Sequence, residues 1–346
     1  VDGTEDFAID PSGNLYLLSD EGELTRVSPQ GRRLWSVQLD REDEDGNAMR
    51  YLDLIADGSG SLYIAAQTYE RRVDAAGAVQ DVVLTEEVQT WSGDGVQQDS
   101  VLRVDKTTLS QYSTTAYIQK LQMQGETLLA LCCDQGRFDV IAAQPYSEEP
   151  AAVIASYDLG EAAEEIEDCA APSDGTLVYS TKGGGLAAVS PDGTSLDLSQ
   201  LAGQGSLPGQ LSADETDRVY FMDRSNGVLY ALDLAAYTVE RLYSPDTVVD
   251  AETGTVFSQL QGAFAVGNGD FCAVSIDGGS LLWARFGAQT YVISSVYKGW
   301  SALEIAKAAG VFLAAAALLT LAGWVLGRLF RRSRLTGKIL LRFLPA

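Results

Sequence analysis

Apolar residues in this chain come in short runs that alternate with polar positions, and Gly-containing turns separate one run from the next. The first passage is FAIDPSGNLYLLS (7–19), an apolar run, a turn at Ser12-Gly13 and a second apolar run. ELTRVSP (23–29), a turn at Gln30-Gly31 and RRLWSVQL (32–39) follow, so four short strands are predicted in about 35 residues. Related phrases begin at LDLIADGSGSLYIAAQ (52–67), GETLLALCCDQGRFDVIAA (125–143), CAAPSDGTLVYSTKGGGLAAVSPDGTSLDL (169–198), LSADETDRVYFMDRSNGVLYALD (211–233) and GAFAVGNGDFCAVSIDGGSLLWARF (262–286). The turn residues before each second strand are Gly13, Gly60, Gly125, Gly175, Asp217 and Gly269, spaced by 47, 65, 50, 42 and 52 residues.

Six such units, with almost no helical periodicity between them, predict an all-β fold: a six-bladed β-propeller, with seven blades as the alternative. The second strands are apolar at consecutive positions, as in LYLL (15–18) and LYIAA (62–66), which is what a sheet covered on both faces requires. The longest spacing points to an insertion at 68–99 between the second and third strands of the second unit, with the third strand delayed to 100–113. Such an insertion suits an extra hairpin or a lid on one rim, although a plain surface excursion is the simpler reading.

The pattern changes near residue 300. AAGVFLAAAALLTLAGWVLG (308–327) has twenty residues without a charge, and Thr320 is its one polar side chain. At helical rise it is about 30 Å long, the thickness of a bilayer's hydrocarbon core, and predicts a transmembrane helix. Arg328, Arg331, Arg332, Arg334, Lys338 and Arg342 follow with no acidic residue among them, so the C-terminal end is expected on the cytoplasmic side. Tyr297, Trp300 and Trp324 stand where amphipathic rings suit the two interfaces. The expected organisation is an extracytoplasmic propeller at 1–298, a membrane segment with its flanks at 299–330 and a basic juxtamembrane segment at 331–346. Gly323 and Gly327 form a GxxxG pair through which two helices could pack as a homodimer, plain lipid-facing smallness being the alternative.

Charge sharpens this division. The net charge is −24, yet residues 301–346 carry seven basic and one acidic residue, and the first 300 carry 17 basic and 47 acidic, a balance of −30. A domain so acidic is repelled by nucleic acid, which is excluded as a partner. The chain has no histidine, so Ser-His and Cys-His catalysis and imidazole metal sites are excluded as well. Cys132, Cys133, Cys169 and Cys272 lie in apolar runs without CxxC spacing and read as buried small hydrophobes, one disulfide between Cys133 and Cys169 being the alternative. The acidic run DREDEDGNAM (40–49) fails the EF-hand pattern, because Arg41 and Leu52 fall where ligands belong, and it is expected to be a solvated turn. No GxSxG elbow occurs, and Thr336-Gly-Lys338 lacks the first Gly and the Ser/Thr of a P-loop. No catalytic, cofactor-binding or metal residue is selected, and calcium has no support. Because the chain starts at Val1 without a signal peptide, it is expected to be a fragment or processed form of an exported protein.

The passage IDPSGNLYLLSDEGELTRVSPQG (9–31) resembles the NHL and related six-bladed propeller repeat, in which an Asp-x-x-Gly-Asn-Leu-Tyr turn leads into an inner strand. ADGSGSLYIAAQ (56–67), PSDGTLVYSTKGGGLAAVSPDGT (172–194) and DRVYFMDRSNGVLYALD (217–233) are poorer copies, and TolB-type blades share these features. The resemblance covers roughly residues 5–295 and implies an extracellular recognition scaffold, without carrying over a catalytic residue. Propeller hydrolases of this kind hold calcium in the central channel, and the corresponding inner-strand carboxylates here are Asp6, Asp53, Glu167 and Asp168, for which local pairing is the simpler reading. The expected function is that of a bacterial-type, single-pass membrane protein whose propeller recognises an unknown ligand or protein, as the sensor of a transmembrane receptor. The alternatives are a passive envelope scaffold and a hydrolase with a channel metal.

Overall fold

The structure, a computed structural model, describes residues 4–340 apart from 74–76, 106–116, 135, 148, 204, 215, 245–259, 268–270, 277–279, 287–289, 294–295 and 299–301. It forms two compact units, Val1–Tyr297 and Lys298–Ala346. The first is a six-bladed β-propeller. Each blade takes four consecutive antiparallel strands, and its first, innermost strand packs against that of the next blade around a closed ring. The inner strands are Thr4–Ile9, Ala48–Ala56, Ile118–Gln124, Ile166–Ala170, Pro208–Ala213 and Leu260–Gly267. A two-residue strand, Tyr297–Lys298, adds to the outer edge of the first blade.

Six apolar clusters hold the ring, one at each interface between neighbouring blades. The second strands explain why their sequences are apolar at consecutive positions. In Leu15–Ser19, Leu15 and Leu17 face the sixth blade while Tyr16 and Leu18 face the second, and all four are buried. A fully buried side chain of this kind contributes about 1.5–3 kcal/mol, and each second strand does so on two faces. Six interfaces close the circle, which settles six blades over seven.

The recurrent turn has a specific construction. Asp10 Oδ1 accepts the backbone N–H groups of Ser12 and Asn14, both at 2.9 Å. Asp57 does the same for Ser59 and Ser61, and Asp214 for Thr216 and Arg218. Six residues on, the Tyr16, Tyr63 and Tyr220 hydroxyls return from the second strand to the other carboxylate oxygen, so each motif spans a whole hairpin. The turn needs a left-handed residue, supplied by Gly13 at φ 78° and Gly60 at φ 84°. A side chain at Gly13 would also run into Trp283 of the sixth blade, 2.8 Å from an added Cβ. Gly269 lies outside the described residues.

The second blade differs from the expectation. Its third strand is Val79–Trp91 and its fourth Gln97–Asp105, so the stretch 68–99 holds the far part of a lengthened second-to-third hairpin, the next turn and the start of the fourth strand, rather than an insertion ahead of a third strand at 100–113. The length arises because Val79–Trp91 stays extended and pairs along Leu62–Val73, with Glu86–Trp91 opposite Leu62–Gln67 and one register shift between Thr68 and Tyr69. All four cysteines are free thiols. Cys132, Cys169 and Cys272 are buried, while Cys133 is half-buried and packs with Cys169 in the core between blades three and four. Burial pushes the Cys133 and Cys169 thiols up from their ordinary range.

The second unit is one helix, Ala302–Leu340. Its stretch Ala309–Leu326 has a mean hydropathy of 2.1 and is long and apolar enough to cross a membrane. Val311, Phe312, Leu313, Leu318, Leu319 and Leu321 are all exposed, so this apolar surface is not spent on a protein core. Thr320 returns its hydroxyl hydrogen bond to the helix, 2.9 Å from the Ala316 carbonyl oxygen and 2.7 Å from that of Ala317.

Candidate functional site

Every inner strand carries a register shift where it approaches the axis: between Thr4 and Asp6, Tyr51 and Asp53, Ile118 and Lys120, Ile166 and Asp168, Pro208 and Leu211, and Leu260 and Phe264. A bulge turns a side chain out of the alternation of the strand, and beside these shifts Asp6, Asp53, Lys120 and Gln210 line the central channel, with Asp168 bonded to Lys120. These residues hand hydrogen bonds from blade to blade. The Leu54 N–H donates to Asp6 Oδ2 at 2.7 Å, Leu121 N–H to Asp53 Oδ2 at 2.5 Å, Leu211 N–H to Asp168 Oδ2 at 2.7 Å and Phe264 N–H to Gln210 Oε1 at 2.9 Å.

Two steps break the rule for chemical reasons. Blade three presents Lys120, a donor, so the Cys169 N–H is taken up by Asp168 itself at 2.8 Å. Blade six has Ala263 at this position of the sequence, and the Phe7 N–H is likewise taken up by Asp6 at 2.8 Å. The Lys120 ammonium donates to Asp168 Oδ2 at 2.7 Å and to the Leu211 carbonyl oxygen, bridging blades three, four and five.

The channel beside these groups has a volume of about 50 Å³, room for a few water molecules rather than an organic ligand. Its electrostatics follow from confinement. Burial, and next the charge of Asp53, push the Asp6 carboxyl well above the usual carboxylate range. Burial also raises Asp53, with Lys120 opposing the shift. For Lys120 burial acts downward, but the carboxylates of Asp168 and Asp53 together outweigh it and leave the ammonium above its ordinary range. The channel thus holds Asp6, whose protonated form burial and Asp53 both favour, beside Asp53, and a lysine cation fixed between carboxylates.

Of the carboxylates picked out in the sequence, Asp6, Asp53 and Asp168 converge on the channel. Glu167 instead pairs with Arg224 at 2.7 Å. Among the described residues no group of three or more His, Cys, Asp or Glu side chains is arranged to hold a metal ion. In this space Lys120 takes up Asp168 Oδ2 and the Leu211 carbonyl oxygen.

Grooves between blades open on the rim. One of about 530 Å³ is walled by the acidic run, with Asp40, Glu42, Asp43, Glu44 and Asp45 facing Glu87 and Arg103. The run folds into the repeat's own turn, with Asp43 Oδ1 accepting the Asp45 and Asn47 N–H groups. Bonds from Asn47 hold the Asp43 carboxyl below its ordinary value. A second groove, about 490 Å³, lies between blades four and five.

In the helix, the Arg328 guanidinium sits 4.3 Å from the centre of the Trp324 ring. Gly323 and Gly327 lie one turn apart, and Arg331 and Arg332 continue the same helix. Tyr297 starts the short edge strand, whereas Trp300 falls outside the described residues.

No protein-family model matches the chain, and no curated protein matches it in sequence. Among solved structures it is similar to YCF48 bound to D1 peptide, at 10% identity and a TM-score of 0.47, covering 85% of this chain and 82% of that one. It is similar to virginiamycin B lyase from Staphylococcus aureus at 9% identity and a TM-score of 0.46, covering 81% and 93%. The Nidogen/Laminin complex matches at 13% identity and a TM-score of 0.41, covering 69% and 78%. At these identities the likeness concerns the propeller fold and nothing finer.

Proposed function

We propose that this protein is a membrane-anchored recognition module: an extracytoplasmic propeller that binds a ligand or protein, tethered by the helix Ala302–Leu340 as the sensor portion of a transmembrane receptor. The observation that carries this reading is the order of parts. A strongly acidic propeller precedes an apolar helix whose large side chains are exposed, and six basic residues without an acidic one follow. The channel fits the reading, since its polar groups satisfy one another and lock the blades into a rigid platform. A rigid platform signals by reorienting its anchor, and the Gly323/Gly327 spacing suits close helix pairing.

Protease added to intact cells expressing the full chain tests the topology. Digestion of the propeller with the basic end protected is the expected result. A propeller that is cut only after lysis would refute the extracytoplasmic placement.

A further inference from the structure

The groove between blades four and five combines three features. Its floor is apolar, because Leu232 and Ala188 belong to the buried core beneath it and Leu196 stands 41% exposed at its lip. Its volume of about 490 Å³ suits a pair of side chains or a small organic ligand. Around that floor stand Asp174, Asp217 and Asp233. Their described bonds run to backbone N–H groups and to Ser173, with no ion pair among the described residues. The cation in the lining, Arg218, is already matched by Glu240 at 2.8 Å.

The third feature is bracing. Among the described residues, only Asp217 (φ 65°) and Tyr237 (φ 53°) are left-handed without being glycine. Both belong to blade five, and both reach across to blade four. Asp217 accepts the Ser173 N–H and hydroxyl, each at 2.6 Å, and the Tyr237 hydroxyl donates to the Asp197 carbonyl oxygen at 2.9 Å. The sister turns use Gly13, Gly60 and Gly175 where Asp217 stands. Glycine there would relax the backbone and lose the crossing bonds, so this interface keeps local strain where it fixes the distance between the groove's walls. A groove whose width is set beforehand loses less on binding.

We propose that this groove binds an extended peptide segment that places an arginine or lysine beside an apolar residue such as leucine. The apolar side chain covers the Leu232 floor, and the cation meets carboxylates from both blades. An acidic residue in its place would face Asp174, Asp217 and Asp233 without a free counter-charge. This inference rests on the recognition reading above and narrows it to one site and one ligand chemistry.

The test uses the full chain in nanodiscs of zwitterionic lipid and dye-labelled tetrapeptide amides, Gly-Leu-Arg-Gly against Gly-Leu-Glu-Gly and Gly-Ser-Arg-Gly, read by fluorescence anisotropy. Saturable binding of the Leu-Arg peptide is expected, with each control at least about tenfold weaker. The double variant Asp174→Asn/Asp233→Asn, which keeps the turn acceptors, and separately Leu196→Ser should each weaken it about tenfold while the unfolding temperature holds. Equal binding of the Arg and Glu peptides, absence of saturation, or an affinity unmoved by both variants would overturn the proposal. A propeller found on the cytoplasmic side would sink the topology and leave this affinity intact, so the two failures are separable.

Discussion

Replacing Lys120 by methionine takes the ammonium out of the channel while keeping a side chain of similar length. Its nitrogen lies 2.7 Å from Asp168 Oδ2 and also holds the Leu211 carbonyl oxygen, and the paired side chains are only 15% and 18% exposed. Breaking one partner of a buried pair costs about 3–5 kcal/mol, because the remaining charge is left uncompensated. Water in the channel screens part of this, so about 3 kcal/mol is expected, or roughly 5 °C in the unfolding temperature of a domain this large. Adding Asp168→Asn removes the stranded charge and keeps one acceptor oxygen, for either the Leu211 or the Cys169 N–H. The double variant should therefore recover about 2 kcal/mol of the loss. Thermal unfolding of the full chain, followed by near-ultraviolet circular dichroism at pH 7, measures both. If Lys120→Met leaves the transition in place, or if Asp168→Asn lowers it further in the methionine background, the ammonium is not the pin of the ring.

Three further outcomes follow from the same geometry. Burial and Asp53 raise the folded pKa of Asp6 above the ordinary carboxylate value, so its contribution is fully present below that ordinary value and is lost as pH rises through the raised one. Asp6→Asn does not ionise, so its stability relative to the parent chain should climb with pH; a difference that stays flat from acid to alkaline pH refutes the raised value. Asp217→Ala should destabilise by about 2–3 kcal/mol, since it keeps the left-handed strain and loses both bonds to Ser173, whereas Asp217→Gly should be milder by about 1 kcal/mol. Denaturant midpoints in the order Gly below Ala would contradict this. Asp10→Ala strips the acceptor from two backbone N–H groups, Tyr16 and Arg26, and should cost about 3–5 kcal/mol, while Asp192→Ala, at an exposed turn where it caps Thr194, should move the denaturant midpoint far less. Similar losses for the two would mean that the Asp-to-Tyr motif is not what fastens the hairpin.

The fold was legible because each blade repeats a local rule. Tyr16, Tyr63 and Tyr220 each stand six residues after an Asp, and consecutive apolar positions on the second strands announce two covered faces. The second blade was misread because its third strand carries adjacent charged residues, the buried Glu86 and then Glu87, and so imitates a loop until its pairing partner is known. The helix was legible from length and charge alone.

The channel was only half legible, and the reason lies in turn length. Asp6, Asp53, Asp168 and Gln210 each stand seven residues before their marker at Gly13, Gly60, Gly175 and Asp217, so the repeat period already aligns them. Counting seven back from Gly125 lands on Ile118 and misses Lys120, because the turn at Gly125 is two residues shorter and carries no Asp-capped loop. Gln210 escaped for a different reason: an amide carries no charge to draw attention, yet at a bulge it accepts the same backbone N–H as a carboxylate would. A lysine in a row of acceptors looks like an exception in one dimension. Around a closed ring it is the counter-charge that lets Asp53 and Asp168 face the same narrow space, so the residue that breaks the sequence pattern is the one that the ring's electrostatics require.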